Sequence, residues 1–274
     1  MKNMNDICEL IKFPKVSIVT VVYNAQDVLE KAILSVLNQA YDNIEYLIID
    51  GKSTDSTVEI IKKYDNNIIW ISEPDNGIFD AMNKGLKIST GDWMLFLGAD
   101  DTLEPDGIQN LINHTNDADI VYGNTHLIFK NGQKRKQFSD PVECIKHKMI
   151  AAHQSFIVKK KVFDTIGNFN LEYKLSADYD FMIRAYLSNH TFKKINEFVA
   201  NYNIYGQSSN IIQNTQELYN IHKKYKFKRV GLLFFLKRIL KDYLIMIFKI
   251  LFQDKTYLYV VNIKDRLSAN KLNE

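Results

Sequence analysis

The stretch KVSIVTVVY, residues 15–23, decides the fold class of this 274-residue chain. It is a β-branched apolar run of strand length, and a helical pattern follows it after a short polar loop. Further apolar runs lie at 44–50, 68–72 and 93–97, and further helical patterns lie at 58–64 and 78–88. Alternating strands and helices predict an α/β fold with a mostly parallel central sheet flanked by helices.

Polar residues follow each of these four predicted strands. In open parallel sheets, ligands bind beyond the carboxyl ends of the strands. The polar residues at these ends are Tyr23 and Asn24, Asp50, Asp75 with Gly77, and the adjacent pair Asp100 and Asp101. Asn, Asp and Gly also end strands for reasons of turn geometry alone. The prediction of a site therefore rests on all four clusters meeting at one edge of the sheet.

The pair Asp100 and Asp101 suits a hard divalent cation. Mg²⁺ or Mn²⁺ typically binds one or two carboxylates and completes its coordination with substrate phosphates and water. The chain contains neither a GxxxxGK[ST] loop nor a GxGxxG loop, which argues against a P-loop enzyme and a dinucleotide oxidoreductase. We therefore expect a metal-held diphosphate at this position. Capping of a turn and a helix by the two carboxylates is the alternative.

Three further groups of residues are candidates for the site. Asp178 and Asp180 lie at the start of a predicted helix, where a carboxylate is either a general base for an acceptor hydroxyl or a helix cap. His153 and Gln154 either reach an acceptor or a phosphate or are structural polar groups. Lys84, on the third predicted helix, either assists a diphosphate or is solvated.

Several of these segments together resemble the motifs of family 2 glycosyltransferases with the GT-A fold. The segments are VSIVTVVYNA (16–25), IIDGKSTDST (48–57), EPDNGIFDAMNKGLKISTGDW (73–93), FLGADD (96–101), HQS (153–155) and SADYDFMIR (176–184). The resemblance extends over about residues 15–205. It implies a nucleotide-diphosphate-sugar transferase fold and an inverting reaction, of the type that builds bacterial surface polysaccharide.

The resemblance also implies a role for each matching position. The nucleotide-binding positions are Thr20, Tyr23 and Asn24 around the base and ribose, Asp50 as acceptor of a hydrogen bond from the base, and Asp75 and Gly77 along the ribose and diphosphate. Asp100 matches the last carboxylate of the family's DxD motif and would bind Mn²⁺ or Mg²⁺. Asp101 would orient the donor sugar or a metal-bound water. Asp178 matches the aspartate of the family's ED motif and would be the catalytic base, with Asp180 nearby on the donor sugar or acceptor side.

Two positions depart from the family pattern. Gly98 stands where the DxD motif has its first carboxylate, so metal binding would rest on fewer carboxylates. Ala177 stands where the family has a glutamate before the base, which would alter the contacts with the acceptor.

The end of the chain differs from the rest in charge. Residues 221–274 contain 13 Lys and Arg against 4 Asp and Glu, whereas residues 1–220 contain 22 against 28. Between about 230 and 252, the charges form a narrow and mainly cationic stripe on an otherwise apolar helical pattern, which is typical of a helix lying in a membrane interface. We expect this helix to contact a membrane surface. A helix packed on the catalytic domain or within a homodimer is the alternative.

These patterns predict two domains. Residues 1–212 would form the GT-A catalytic domain, with a nucleotide-binding part at about 15–101 and an acceptor part at about 102–212. Residues 213–274 would form a helical, basic and apolar extension. The sequence shows no signal peptide and no spanning helix, and its two cysteines lie far apart, so we expect a cytoplasmic protein, peripheral on the inner face of the cell membrane.

The expected function is an inverting glycosyltransferase that moves a sugar from a nucleotide diphosphate donor, with UDP as the expected nucleotide, to a hydroxyl of a glycan or lipid-linked glycan. No nucleic-acid partner is expected, because apolar and aromatic residues separate the basic residues of the tail. A non-catalytic subunit that binds a sugar nucleotide or glycan is the first alternative, suggested by Gly98. A nucleotidyltransferase is the second, but it would need a Gly-rich basic loop after the first strand, and residues 23–26 do not supply one.

Overall fold

One mixed sheet organises the part of the chain that carries the predicted site. The computed structural model of the chain describes residues 13–204, 211–227 and 240. Contacts divide the chain into two units, Met1–Ser208 and Ser209–Glu274, and each is described by itself. The domain boundary expected at residue 212 remains a prediction.

Nine strands and six α-helices make up the described part of the first unit. The strands are β1 (Val16–Val22), β2 (Ile44–Asp50), β3 (Ile69–Ser72), β4 (Trp93–Gly98), β5 (Thr102–Leu103), β6 (Ile120–Ile128), β7 (Lys134–Gln137), β8 (Phe156–Lys159) and β9 (Phe192–Asn203). The helices are α1 (Leu29–Leu37), α2 (Thr57–Lys62), α3 (Ile78–Ile88), α4 (Gly107–Ile112), α5 (Lys160–Ile166) and α6 (Ala177–Leu187). Two short 3₁₀ helices cover Val142–Lys146 and His153–Ser155.

The first four strands are parallel, as the sequence predicts. β1 lies between β2 and β4, and β3 pairs with β2. Beyond β4 the sheet is mixed, in the order β3-β2-β1-β4-β8-β6-β9-β5, because β8 runs antiparallel to β4 and β6 whereas β9 runs parallel to β6. The predicted α/β fold is confirmed, and the antiparallel pairs belong to its less regular second half.

Two strands are longer than the sequence pattern predicts. The sequence pattern predicts short strands at 120–122, 126–129, 192–195 and 199–204. In the structure, β6 and β9 are each continuous, and their mutual register shifts between Tyr122 and Thr125. Gly123 allows the two strands to approach at this shift, because a side chain there would collide with Val199 and lie 2.9 Å from the carbonyl oxygen of Glu197. The break in the apolar pattern therefore marks a bulge and not a loop.

Helices cover both faces of the sheet. On one face, Leu29 and Ile33 of α1 belong to the same buried cluster as Ile18 and Ile48 of the neighbouring strands. On the other face, α3 lies directly on β1 and β2. Both faces of β1 are thus buried, which explains why its sequence is a continuous apolar run and does not alternate.

Five phenylalanines hold α3, β4, α5 and α6 together on the face that α3 covers. They are Phe79, Phe96, Phe163, Phe169 and Phe181, and Phe169 lies at their centre with the other four ring centroids 5.1–5.8 Å away. The side-chain amide of Asn83 donates to the Phe169 carbonyl oxygen at 3.0 Å and accepts from its backbone N–H at 3.1 Å. The loop that leads into α6 is therefore fixed to α3.

The described part of the second unit contains the helix α7 (Ile211–Lys224). The amphipathic stretch predicted at about 230–252 lies outside the described residues, apart from Leu240. Within the described ranges, none of the helices has the length and hydropathy needed to traverse a lipid bilayer.

Gly85 of α3 provides a test of how closely this helix approaches the sheet. A Cβ at this position would collide with Val19 and lie 3.2 Å from Ile49. Alanine normally favours a helix interior over glycine by roughly 0.5–1 kcal/mol, whereas overpacking a core costs roughly 1–3 kcal/mol. We expect Gly85→Ala to lower the free energy of unfolding by about 1–2 kcal/mol in urea denaturation, and Lys87→Ala, on the exposed side of α3, to leave it within about 0.5 kcal/mol. An increase in stability for Gly85→Ala would show that α3 can move away from β1 without cost.

Candidate active site

The carboxyl ends of β1, β2 and β3 carry a hydrogen-bonded network that brings several predicted residues together. The carboxylate of Asp50, which is fully buried, accepts hydrogen bonds from the backbone N–H of Ser53 at 3.1 Å and from the hydroxyl of Ser72 at 2.5 Å. Asn24 joins the same network, because its backbone N–H donates to the Ser53 hydroxyl and its side-chain oxygen accepts from the Thr54 N–H, both at 2.8 Å. Ser53 and Ser72 were not predicted, since serine after a strand is common in turns without any ligand.

Tyr23 and Asp75 lie on either side of Gly51, at the open end of this network. A Cβ on Gly51 would collide with the Asp75 carboxylate and lie 3.4 Å from the ring of Tyr23. The Tyr23 side chain is half exposed, so its ring is accessible to a planar group from solvent. The absence of a side chain at residue 51 therefore keeps an aromatic face and a carboxylate next to each other at the edge of the sheet.

Thr20 lies inside the protein and not at this edge. It is fully buried, and its hydroxyl lies 3.0 Å from the hydroxyl of Tyr46 on β2. Because both groups satisfy each other within the core, Thr20 supports the packing of β1 on β2 and does not reach the open surface where a nucleotide base would lie.

The loop between β3 and α3 is held in place by Asp75 and Lys84. The Asp75 carboxylate accepts a hydrogen bond from the Gly77 N–H at 2.8 Å, and Gly77 has a φ of 114°, a conformation that L side chains rarely adopt. The Lys84 ammonium donates to the Pro74 carbonyl at 2.6 Å and forms an ion pair with Glu73 at 3.0 Å. Lys84 thus fixes the loop to α3, and its charge is already partly compensated by acidic neighbours.

Asp100 and Asp101 follow β4 and are both shielded from water. Asp101 is 2% exposed, and burial together with the negative charge of Asp100 raises its pKa to about 8. Burial also raises the pKa of Asp100. The backbone N–H of Asn203 donates to the Asp101 carboxylate at 2.9 Å. Two adjacent carboxyl groups with raised pKa values form an electrostatically strained pair that a cation would relieve.

Gly98 explains how the two carboxylates come together. A Cβ at residue 98 would lie 2.9 Å from an oxygen of Asp101 and 3.2 Å from an oxygen of Asp100. Both side chains therefore point back to the space that an additional side chain would occupy. The departure from the DxD pattern at this position leaves room for the Asp100 and Asp101 carboxylates to face the same point.

The donor set at this point fits a divalent cation that also binds phosphate. Among the described residues, no basic side chain contributes to the electrostatic environment of Asp100 or Asp101, and no cluster of three or more acidic, histidine or cysteine side chains suits a metal ion. Mg²⁺ and Mn²⁺ accept a site with one or two carboxylates when phosphate oxygens and water complete the shell. Asp100, the more exposed of the two, is the accessible ligand.

The short helix of His153, Gln154 and Ser155 carries buried polar atoms without a hydrogen-bond partner. These atoms are Nε2 of His153 and both amide atoms of Gln154. Burial lowers the pKa of His153 to about 4, so its ring is neutral at physiological pH. An unsatisfied buried polar group costs roughly 1–3 kcal/mol. The helix packs against β4, β6 and β9, so a ligand hydroxyl or a water molecule that satisfies these groups would lie beside the end of β4.

Asp178 and Asp180 lie two residues apart in sequence, on different sides of the helix, and they differ in environment. Asp178 is in the first turn of α6 and is partly exposed, and its carboxylate accepts a hydrogen bond from the Tyr179 N–H at 2.8 Å. Asp180 is fully buried and forms an ion pair with Arg184 at 2.8 Å. Of the two, Asp178 is the carboxylate that a substrate hydroxyl can reach.

Arg184 explains why Asp180 is buried. Its guanidinium donates to the carbonyl oxygens of Gly167 at 3.1 Å and Asn168 at 2.7 Å, and also to that of Ile166. Asp180 and Arg184 together attach α6 to the turn that precedes Phe169. On the far side of this loop, the Lys174 ammonium donates to the Asn76 carbonyl at 3.1 Å, so the chain before Asp178 contacts the loop before α3.

Comparisons with known proteins show which family this chain resembles. A family model described as "Glycosyl transferase family 2" matches residues 17–180. A protein of Mycobacterium bovis named "PGL/p-HBAD biosynthesis glycosyltransferase" is 34% identical over 209 residues, covering 73% of this chain and 80% of that protein.

Two solved structures share the fold at low sequence identity. The S. aureus TarS fragment 1–349 in complex with UDP-GlcNAc has a TM-score of 0.62 and 18% identity, over 76% of this chain and 64% of that one. A mannosyltransferase from Pyrobaculum calidifontis, in complex with GDP-Man and Mn²⁺, has a TM-score of 0.63 and 13% identity, over 94% of this chain and 81% of that one.

Proposed function

This chain belongs to glycosyltransferase family 2, and we propose that it is an inverting enzyme that transfers a sugar from a UDP-linked donor to a hydroxyl of a glycan or lipid-linked glycan. The observation that carries the proposal is the pair of Asp100 and Asp101, two shielded carboxylates with raised pKa values at the carboxyl end of a parallel strand. A bound cation would relieve the repulsion within this pair, and a sugar nucleotide diphosphate would supply phosphate oxygens to complete its coordination.

The nucleotide would occupy the edge formed by β1, β2 and β3. The accessible ring of Tyr23 offers a face for the base. Asp50 is fully buried and accepts hydrogen bonds from Ser53 and Ser72, so with Asn24 it would hold the loop beneath the base and ribose and would not itself bind the base. Asp75 and the N–H groups near Gly77 lie where the ribose and diphosphate would follow. Lys84 fixes this loop and adds a positive charge behind it.

Asp100 would hold Mn²⁺ or Mg²⁺, with Asp101 oriented by Asn203 toward the donor sugar or a metal-bound water. When bound, the cation offsets the charge that develops on the leaving diphosphate. His153 and Gln154 lie beside this point, and their unpartnered polar atoms suit hydroxyl groups of the donor sugar or acceptor. Asp180 would act through Arg184, by holding the helix that carries Asp178.

Asp178 would be the general base. Its carboxylate takes the proton from the acceptor hydroxyl while that oxygen forms a bond to the anomeric carbon, and the bond from this carbon to the diphosphate breaks with its electron pair on the leaving nucleotide. Attack from the face opposite the diphosphate inverts the anomeric centre. The alternative, a non-catalytic subunit that binds sugar nucleotide or glycan, predicts donor binding with no turnover.

We expect nucleotide binding to depend on a divalent cation through Asp100. In calorimetry, the affinity for UDP should fall when a chelator removes the metal, and Asp100→Asn should weaken the metal-dependent part by about 10–100-fold, the value of a charge-assisted contact. Asp42→Asn, an exposed aspartate away from the site, is the matched control and should bind normally. UDP affinity that is insensitive to both chelator and Asp100→Asn would contradict a metal site here.

We expect Asp178→Asn to lower turnover by about 10²–10⁴-fold while donor binding stays nearly intact, because only the proton transfer is lost. Asp180→Asn is the informative comparison. It should leave more activity but lower the free energy of unfolding by roughly 3 kcal/mol, because Arg184 loses its buried partner. A larger rate loss for Asp180→Asn at unchanged stability would instead assign the general base to Asp180 and the structural role to Asp178. The anomeric configuration of the product, read by NMR, tests inversion separately.

We also propose that about residues 230–252 hold the enzyme peripherally on the cytoplasmic face of the cell membrane, near a lipid-linked acceptor. Charges at Lys237, Arg238 and Lys241 would cost on the order of 2.5–3.5 kcal/mol each at a bilayer centre, but at the interface each lysine near an anionic lipid gains roughly 1 kcal/mol. A helix that contacts the catalytic domain or a second copy of the chain is the alternative.

Flotation with anionic vesicles tests this membrane contact. Full-length protein should float with the vesicles, and replacing Lys237, Arg238 and Lys241 by glutamate should reduce the bound fraction by at least tenfold, because three favourable charges become unfavourable. Glutamate at Lys62, Lys87 and Lys161, which are exposed on the first unit, is the charge-matched control. Equal flotation of both variants would assign the segment to a contact within the chain or between two copies.

A further inference from the structure

The hairpin of β6 and β7 carries a concentration of positive charge that the nucleotide site does not use. Residues 126–138, HLIFKNGQKRKQF, include four Lys and Arg and no Asp or Glu. Three of the cations are consecutive on β7, which pairs with the end of β6. This is the densest run of positive charge in the first unit for which the structure describes every residue.

Strand pairing places this hairpin near Asp100 and Asp101. β6 pairs with β8 through residues 120–122 and, on the same flank, with β7 through residues 125–128. β8 in turn pairs with β4. β7 therefore lies in line with β8 along the same side of β6. It extends beyond the end of β4, the strand that Asp100 and Asp101 follow.

The strand register gives the distance between the hairpin and Asn203, the residue whose backbone contacts Asp101. Ile128 of β6 pairs with Lys134 on one side and with Asn203 on the other. The backbone N–H of Asn203 donates to the Asp101 carboxylate. Since neighbouring strands lie about 4.8 Å apart, the backbone of Lys134 is roughly 10 Å from that of Asn203. A chain of sugar residues that leaves the transfer site in this direction would pass over the hairpin.

The side chains on one face of the hairpin combine cations with aromatic rings. The ring of Phe198 on β9 stacks on His126 with a centroid distance of 4.2 Å, the Lys136 ammonium lies 5.5 Å from the Phe198 centroid, and Phe138 packs edge-on at 5.7 Å. Lys134 lies beside them, 3.4 Å from Glu104. We refer to His126, Lys134, Lys136, Phe138 and Phe198 as the hairpin platform.

Protection of an edge strand accounts for only part of this surface. Lysines on an edge strand hinder pairing with a second molecule, and β7 lies at such an edge. However, the side chain of Phe138, at the end of the same strand, is 65% exposed. A large exposed aromatic ring promotes association and does not prevent it, so the platform has the composition of a binding surface.

We propose that the hairpin platform binds an anionic portion of the acceptor, a glycan that carries phosphate or carboxylate groups. This inference rests on the proposed function, and it adds the chemical class of the acceptor. The ammonium groups of Lys134 and Lys136 supply the charge, while the rings of Phe138 and Phe198 supply flat apolar faces against which sugar rings pack. Under the proposed function, a cation held by Asp100 would neutralise the donor diphosphate, so the donor would not require this surface.

A binding experiment on the full chain tests the charge preference. Dextran sulfate and neutral dextran of the same length serve as probes, titrated at low and at physiological ionic strength. We expect binding of the sulfated polymer alone, and about tenfold weaker binding when Lys134 and Lys136 are both replaced by glutamine. The double variant Lys62→Gln with Lys87→Gln removes the same charge from exposed positions elsewhere and should stay within about twofold. Phe138→Ala should weaken binding by about fivefold through the ring contact.

Transfer to an oligosaccharide array links the surface to the acceptor. With a labelled donor, acidic oligosaccharides should accept sugar, and Lys134→Gln with Lys136→Gln should raise KM for them by about tenfold while kcat and UDP affinity stay within twofold. Exclusive use of neutral oligosaccharides, or equal KM values for the hairpin and control variants, would overturn the inference. The inference would also be overturned if the variant Lys134→Gln with Lys136→Gln lost binding to phosphatidylserine vesicles but still bound dextran sulfate, since the platform would then face lipid. Absence of both UDP binding and transfer would instead contradict the proposed function itself.

Discussion

The repulsion between two adjacent, shielded carboxylates is the constraint on which the site depends. Asp100 and Asp101 follow a strand whose residues are all buried, and neither has a basic partner among the described residues. A protein that keeps such a pair loses stability unless protons or a cation neutralise it. The rest of the first unit can be understood as a scaffold that holds this pair against its own repulsion. The parallel strands place the pair at the end of β4, and the missing side chain of Gly98 leaves room for both carboxylates. The backbone N–H of Asn203 holds Asp101 by a hydrogen bond.

The second part of the scaffold positions Asp178 relative to this pair. Its helix cannot move independently, because Phe181 belongs to the same aromatic cluster as Phe96 of β4, two residues before Gly98. Asp180 and Arg184 attach the helix to the turn that precedes Phe169, and Asn83 attaches Phe169 itself to α3. The general base and the cation site would therefore be joined through packed side chains, which suits a reaction that requires the attacking oxygen to be aligned with the leaving group.

The sequence predicted the parts of this arrangement that follow from chain direction. Short β-branched apolar runs favour strands, and in an alternating β/α pattern they favour a parallel sheet. The four parallel strands and the polar residues at their ends were therefore predictable. Thr20 was not, because in such a run the pattern does not tell which side chains face the core, and its partner Tyr46 lies on another strand. Lys84 and Asp180 show the same limit. Lys84 pairs with Glu73 and the Pro74 carbonyl, which loop geometry brings near. Asp180 pairs with Arg184 four residues later on the same helix, and this spacing alone does not show that the pair is buried and holds the helix to the preceding turn.

The proposed donor side and the proposed acceptor side of the site are built from different kinds of structure. The proposed donor side is built on parallel strands with short loops, so its residues follow directly after strands in the sequence, and this explains why motifs there are recognisable. The proposed acceptor side would be built on the hairpin and on β9, where pairing is irregular and a glycine permits a bulge. Exposed positions on that side, such as Lys136 and Phe138, do not contribute to the core, so they can change without loss of the fold. Under the proposed function, a change of acceptor class would therefore require no change in Asp100, Asp101 or Asp178.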